Sequence, residues 1–399
     1  MITPVSIIVH GPTVLTHSSG RATYRVRIDG IANISQLWFS VPASAEAMIQ
    51  GRLDAAVVAL LMPAMRFRTD LHLDGPVTDE LVRGAGESAQ EVLRRLRPEL
   101  ARVEIISPDA RPPSPQPPHV ATGYSAGIDS FTTLAKRYFD PTVPDHLRIS
   151  HLLYNNVGSH GHGERGNALF RQRLARARSG AAELGLPLID VESNVDEVYL
   201  AADIEFQPSH TMRNMAVAHL LGAGVGRYYY SSSAPYDDVK VAPTADIGIA
   251  DPLLLQALST RSLTLTPVGT DLSRSAKVAL VSQLELSYRH LDVCLDSSDG
   301  SNCSKCSKCR RTMLMLDLLG ALDRYQKVFH PPTDPHWRED HIVQALVQEL
   351  PSARSVVRLY DEHVGISPSL RMRAHTLKAR RFAHRALMAG YRRIRRQLT

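Results

Sequence analysis

His119-Val-Ala-Thr-Gly-Tyr124-Ser125-Ala126-Gly127-Ile128-Asp129-Ser130 is the stretch on which the reading of this chain turns. His119–Tyr124 is short and apolar, as a buried strand would be. Ser125-Ala126-Gly127 is a turn of small residues, and a helix is expected to start near Asp129. A strand, a small-residue turn and a helix start form an anion cradle. Backbone N–H groups point into the turn, the helix dipole adds positive potential, and hydroxyls supply further donors. Small side chains let a phosphate come close to the backbone. Asp129 would repel a bare phosphate, but it fits the position as a helix cap or as a partner of Mg²⁺. The competing reading is a capped turn with no ligand, and the hexamer Ser125–Ser130 by itself leaves the two balanced.

Outward from this turn, strand and helix patterns alternate to about Leu319. Strands are expected at His151–Asn155, Leu188–Val191, Arg227–Ser231 and Leu263–Val268. Helices are expected over Asn167–Leu184, Thr211–Gly222 and Ser275–Leu284. That order predicts an α/β fold, a mostly parallel sheet with helices on both faces and ligands beyond the strands' C-terminal ends. Upstream, residues 1–106 read as a small α+β domain. It has strands at Val5–Val9, Ala22–Ile28 and Gln36–Val41, a helix from Ala43 to about Met62 stopped by Pro63, and a helix from Thr78 to Leu96. A closing strand is expected at Val103–Ile106. Residues 107–118 hold six prolines and read as a semi-rigid linker. Residues 119–330 are the expected core domain and 331–399 a helical extension.

The chain has four cysteines, Cys294, Cys303, Cys306 and Cys309, all within sixteen residues. Four thiolates at such spacings suit a closed tetrahedral Zn²⁺ site, and Lys305, Lys308, Arg310 and Arg311 offset its charge. With every position filled by protein the ion would be structural. An iron–sulfur cluster is the competing metal reading, and clustering in a reducing compartment is favoured over disulfides.

Ser125-Ala126-Gly127-Ile128-Asp129-Ser130 resembles the Ser-Gly-Gly-x-Asp-Ser signature of the PP-loop ATP pyrophosphatases, the N-type or adenine nucleotide α-hydrolase-like family. It departs from that signature at Ala126. No Gly-Lys-Ser/Thr follows, so it is not a Walker A loop. The cysteine spacing, with Arg310 and Arg311 after the last cysteine, is similar to that of the 7-cyano-7-deazaguanine synthases within that family. The resemblance covers residues 119–320, about half the chain. It implies a parallel-sheet core of the HUP type and the use of ATP with Mg²⁺, with Ser125, Ala126, Gly127, Ile128, Asp129 and Ser130 at the phosphates. It also implies AMP transfer to a carboxylate or carbonyl oxygen, with pyrophosphate released and a nucleophile then displacing AMP.

Further candidates lie between the two motifs. Arg213-Asn214 looks like the pair that opens the corresponding helix of the nitrile-forming synthases. Arg213 could clamp a phosphate or carboxylate bidentately and Asn214 could bond a base or carbonyl. An exposed arginine at a capped helix start is the equal alternative. Ser231, in Ser231-Ser-Ser-Ala-Pro-Tyr236-Asp237-Asp238, follows an apolar strand where such folds place ligand contacts. Asp271-x-x-Arg274-x-x-Lys277 puts three charges on one helical face. Lys277 is the candidate for neutralising the transferring phosphate, against a solvated charge pattern. His160-Gly-His162-Gly is a weak substrate-loop candidate.

Charge and cysteine count narrow the partners. Lys plus Arg is 46 and Asp plus Glu is 40, but Arg371–Thr399 carries ten bases and no acid, so the remainder has a balance of −4. The body is not a basic nucleic-acid surface, and nucleic acid is not expected as a partner. The tail itself reads first as a solvated helix end, and next as a helix on an anionic membrane or a holder of tRNA. No cysteine lies outside the cluster to transfer sulfur, and the chain begins Met1-Ile2 rather than with a glutaminase cysteine. Free ammonia or an amine is therefore the expected nucleophile, acting on a small-molecule or protein-borne carboxylate. A non-catalytic ATP- or AMP-binding module is the alternative. With no basic leader before the first apolar run, a cytoplasmic protein is expected, and a homodimer is compatible with these features.

Overall fold

The computed structural model describes residues 6–16, 19–295, 297, 300–348 and 351–397, with the side chains of Pro351 and of residues 384–397 outside the description. The chain divides into two compact units, Met1–Asp271 with Ser298–Gly300, and Leu272–Ser297 with Ser301–Thr399.

The first unit is built on one mixed sheet. Strands β1 (Ser6–Thr16), β2 (Arg21–Ile31) and β3 (Ile34–Pro42) form an antiparallel meander. Along β2, Tyr24, Val26 and Ile28 are buried while Arg25, Arg27 and Asp29 face outward, the two-residue period of a half-covered sheet. β4 (Asp70–Asp74) and β6 (Ile105–Ile106) continue the outer edge. β5 (Val77–Thr78) pairs separately with β7 (Ala110–Arg111), which lies in the proline-rich stretch. β8 (His119–Gly123), β9 (His151–Asn156), β10 (Leu188–Ser193), β11 (Val225–Ser231) and β12 (Thr264–Val268) are mutually parallel. The sheet order is β12-β11-β8-β9-β10-β3-β2-β1-β4-β6. This is an α/β protein with a large mixed sheet, mostly parallel beyond its three antiparallel N-terminal strands.

The sheet crosses the proline-rich stretch without a break, because β3 pairs with the end of β10. Asn194 extends the joint. Its Oδ1 accepts from Trp38 N–H at 2.8 Å and its Nδ2 donates to Gln36 O at 2.9 Å, so one side chain imitates a further strand residue. Asp190, almost fully buried on β10, accepts from Arg21 at 2.7 Å and Arg178 at 2.8 Å. Burial raises its pKa, but the two guanidiniums outweigh that and hold the carboxyl below its usual range.

The helices of this unit are α1 (Asp54–Phe67), α2 (Asp79–Gly84), α3 (Gln90–Leu96), α4 (Ile128–Leu134), α5 (Gly163–Leu184), α6 (Val195–Ala201), α7 (His210–Leu220) and α8 (Asp251–Leu258). α1 corrects the expectation that Pro63 ends a helix begun at Ala43. Ala43–Met48 is a separate 3₁₀ turn, and Pro63 sits inside α1. The missing N–H and ring clash cost about 3 kcal/mol. Every residue from Asp54 to Met65 is buried, and that burial offsets the cost. The helix ends at Arg68, whose φ of 59° gives a left-handed cap, with its N–H on Ala64 O. One apolar core runs from Ile7 to Leu265 and joins α1 and α7 to both halves of the sheet.

The second unit is helical: α9 (Arg274–Val281), α10 (Glu285–His290), α11 (Ser307–Leu318), α12 (Trp337–Val347), α13 (Pro351–His363) and α14 (Pro368–Gln397). α14 packs along α12 through the buried Leu370 and Ala374. Leu387, Tyr391, Ile394 and Leu398, which the sequence spaces as an apolar stripe along the same segment, lie outside the described side chains. No helix among the described residues is long and apolar enough to cross a membrane.

Candidate functional site

In the parallel half of the sheet, β8 comes first in sequence and lies in the middle. β9 and β10 extend it to one side, β11 and β12 to the other. The connections therefore diverge between β8 and β11. In open α/β sheets that divergence leaves a crevice at the carboxyl ends of the strands where ligands bind. Two of the sequence-predicted elements flank it: the loop after β8 and Ser231 at the end of β11.

The loop bends at Ala126, whose φ is +56°. Left-handed backbone costs a non-glycine residue on the order of 1 kcal/mol, and it is the natural place for glycine. This is the one position where the sequence departs from the resembled signature, and the departure keeps the bend while adding a buried methyl group. Gly127 N–H points to Ser125 Oγ at 3.3 Å, and Gly127 is the residue from which α4 starts. Ser130 Oγ folds back onto Gly127 O at 3.0 Å. Thr133 Oγ1 meets Ser231 Oγ at 2.8 Å, tying α4 to the end of β11. Asp129 stands in the first turn of α4, half-buried. The bend predicts a contrast between substitutions. Ala126→Gly leaves stability within about 1 kcal/mol, since relieved strain and added unfolded-chain freedom oppose each other. Ala126→Val, β-branched at positive φ, costs at least about 2 kcal/mol. Denaturant midpoints measure both, and equal midpoints would show that the bend is not left-handed.

Two buried polar atoms near the strand ends have no hydrogen-bond partner, Tyr124 Oη after β8 and Asn155 Oδ1 near the end of β9. Buried groups are normally satisfied, so such atoms mark places for a ligand or water. Asn155 is oriented by Asn214. Its Nδ2 donates to Asn214 Oδ1 at 3.0 Å, and Asn214 Nδ2 donates to His210 O at 2.8 Å. Asn214 is thus placed beside β9, one residue removed from the open acceptor.

Arg213 is placed differently from its expected role as a clamp. It is fully buried, and its guanidinium is already committed. Nε donates to Ser209 Oγ at 2.8 Å, Nη1 to Val157 O at 2.9 Å and Asp196 Oδ1 at 2.6 Å, and Nη2 to Ile204 O at 3.1 Å. Tyr199 stacks over it with its ring centroid 4.2 Å from Cζ. The reason is tertiary: α7 presses this face of its first turn against α6 and the loop after β9. Gly158 closes the same contact, for a Cβ there would lie 2.4 Å from both Arg213 Nη1 and Asp196 Oδ1. The histidine loop is held on this hub. His162 Nδ1 bonds Asp196 Oδ2 at 2.5 Å, and His160 Nε2 bonds Tyr154 Oη at 3.1 Å. Burial and nearby Arg173 lower His160 to a pKa of about 4. Arg213 orders the loop.

Sequence reasoning missed a polar network on the other face of β11. His210 Nδ1 bonds Tyr230 Oη at 2.8 Å and its Nε2 bonds Asp246 Oδ1 at 3.1 Å. Behind it, Asp251 accepts from Thr211 Oγ1 at 2.8 Å and Ser232 Oγ at 3.1 Å. Burial pushes Asp251 up to about 7, against the pull of His210 and the two hydroxyls. The available signals were Asp246, which caps a turn through Gly248 N–H, and Asp251-Pro252 at a helix start. Neither links the residues to His210, which lies 36 or more positions away. Because the folded pKa lies above the unfolded one, ionisation opposes folding. The penalty is absent below about pH 4, grows between about pH 4 and 7, and is full above about pH 7. Asp251→Asn is therefore expected to gain in Tm relative to the parent as pH rises from 5 to 8. A constant difference across that range would show that Asp251 is ionised throughout.

Of the remaining candidates, Lys277 and the four cysteines belong to the second unit and Asp271 to the first. Lys277 is buried in α9, whose N-cap is Ser273, bonded from Ala276 N–H at 3.2 Å. Asp271 precedes that helix and pairs with Lys136 at 2.5 Å, so the three charges expected on one helical face are not one solvated row.

The four cysteine sulfurs lie within 4.8 Å of one another. Tetrahedral coordination at about 2.3 Å per bond puts sulfurs about 3.8 Å apart, so the cluster could hold a metal ion such as zinc. Ser304, at φ +57°, turns the backbone inside Cys303-Ser-Lys-Cys306. As a result Lys305 N–H and Cys306 N–H reach Cys303 Sγ at 3.4 and 3.2 Å, and Cys303 N–H reaches Cys294 Sγ at 3.3 Å. N–H donors aimed at sulfur favour thiolates. At Cys306 burial raises the pKa, but backbone donors and neighbouring thiols outweigh it and bring it to about 7. Burial and the neighbouring Cys306 push Cys309 up. Asn302 fixes the frame, its Oδ1 accepting from Val293 N–H at 2.9 Å and its Nδ2 donating to Leu291 O at 2.7 Å.

Comparison of the chain with protein-family models, curated proteins and solved structures returns no match.

Proposed function

We propose that the protein is an ATP-dependent, AMP-forming enzyme of the PP-loop type with a HUP-like core, which activates a carboxylate or carbonyl oxygen and passes it to ammonia or an amine. The observation that carries this reading is the left-handed bend at Ala126, set in a small-residue turn between the middle strand and its helix, at the point where the sheet's connections diverge. Such a turn gathers N–H donors where a polyphosphate needs them. Ser125, Gly127 and Ser130 would hold phosphate oxygens and Asp129 would hold Mg²⁺. Ser231 and the open Asn155 acceptor would fix the nucleotide or the acid. Attack of the acid oxygen on the α-phosphorus would break the bond to pyrophosphate, whose leaving charge the N–H donors of the turn would meet, and Mg²⁺ held by Asp129 would supply further neutralisation. The amine then displaces AMP from the acyl carbon and loses its proton. Zinc at the cysteines would be structural, since its four positions are filled by thiolates. Arg213, each of whose three guanidinium nitrogens already donates within the fold, supports instead a role in ordering the loop after β9. The test is pyrophosphate release from ATP and Mg²⁺ over a panel of carboxylic acids, a deazaguanine carboxylate among them. ATP binding without release for any acid would favour a non-catalytic nucleotide-binding module.

A further inference from the structure

The second unit contains an open cavity of about 670 Å³ beside the cysteine cluster. Lys305 and Arg310 flank the first turn of α11 on one side, α12 contributes His341 and Gln344, and α14 closes the other side with Arg373 and Arg380. Its charges do not cancel. The one lining carboxylate, Asp340, is taken by Arg373, which also bonds Glu339 at 3.0 Å. Lys305, Arg310 and Arg380 have no carboxylate partner among the described residues, and Arg310 Nε is buried with no acceptor. His341 registers the same field, for burial first and then Arg311 and Arg310 oppose its protonation and lower it to about 4.

α14, which lines the cavity, also has an exposed side. Leu370 and Ala374 are taken up in packing against α12, so the described part of this helix keeps no continuous apolar face for a lipid surface. What it exposes is mainly cationic, Arg371, Arg373, Lys378, Arg380 and Arg381, with Met372 about two-thirds and Phe382 three-quarters exposed among them. Cations in a row with an aromatic ring among them suit a chain of phosphates carrying bases that can stack.

We propose that this cavity and the adjoining face of α14 bind the phosphate backbone of a single-stranded polynucleotide. The phosphates sit against Lys305, Arg310 and Arg380 and a base stacks on Phe382. The site is separate from the loop at Ala126 and does not depend on the reading of that loop. It also reverses the expectation from overall charge, which treated the tail as a solvated end.

The experiment uses the full chain and four probes: a labelled unstructured oligoribonucleotide, the matching oligodeoxyribonucleotide, ATP, and vesicles of mixed phosphatidylserine and phosphatidylcholine. We expect both oligonucleotides to bind, with affinity falling linearly in log salt. Lys305→Glu with Arg380→Glu, two exposed positions, should weaken binding at least about tenfold and lower the salt slope by about 0.7 for each phosphate that is no longer neutralised. Phe382→Ala should weaken binding without changing the slope. Arg165→Glu with Arg171→Glu, an equal charge change at two exposed positions of α5, should leave binding unaltered. Preference for the ribose strand over the deoxyribose strand, or none, names the source without altering the site. Binding of vesicles or ATP with neither oligonucleotide bound overturns the proposal. So does an equal weakening in the protein with Arg165→Glu and Arg171→Glu.

Discussion

Purified protein is expected to carry about one zinc per chain, and removing it should unfold the region around α11. The four sulfurs are already gathered, with backbone N–H groups aimed at two of them, and Cys309 lies within α11 itself. Without an ion this arrangement buries thiols whose ionisation is mutually unfavourable. With one, the same groups become four bonds. Structural zinc in small domains contributes roughly 10–16 kcal/mol of apparent binding free energy, comparable to the whole stability of a typical domain. Cys306→Ser should therefore abolish zinc binding and remove hydrogen-exchange protection from α11, while amides of β8–β11 in the first unit keep theirs. Elemental analysis and exchange mass spectrometry read the two effects. A metal-free preparation with undiminished protection in α11 would remove the metal from the account, and iron with a visible chromophore would replace zinc by an iron–sulfur cluster.

The second large effect concerns the loop after β8. With ATP, Mg²⁺ and its acid substrate, the parent protein should release pyrophosphate and AMP in equal amounts. Asp129→Asn keeps size and polarity and removes the charge that would hold Mg²⁺. Loss of a metal ligand or charge-stabilising group at a phosphoryl centre costs on the order of 10²–10³-fold in rate or more, so release should fall to background. Circular dichroism should be unchanged, because Asp129 is only half-buried at a helix start. Undiminished release by Asp129→Asn would mean that the turn is a plain strand–helix connection and that the chemistry, if any, lies elsewhere.

Sequence alone determined the local features of this protein. The strand–turn–helix at 119–134, the parallel strands after it, and the cysteine cluster are set by residues close together in the chain. Periodicity, small residues and two-residue spacings act over a few positions, so a linear reading can follow them. Tertiary structure alone decided the rest. Whether Pro63 ends a helix depends on how much apolar surface α1 buries, which no window around Pro63 reveals. Arg213 has the same neighbours in sequence whether it faces solvent or Asp196. Its partners Val157, Asp196 and Ile204 come from other elements, and a guanidinium fully enclosed among them must satisfy its donors there rather than on a ligand. The pairing of β3 with β10 and the His210–Tyr230–Asp246 contacts likewise join residues far apart in the chain. Such contacts are fixed by the closure of a shared core, and only the folded chain brings them together.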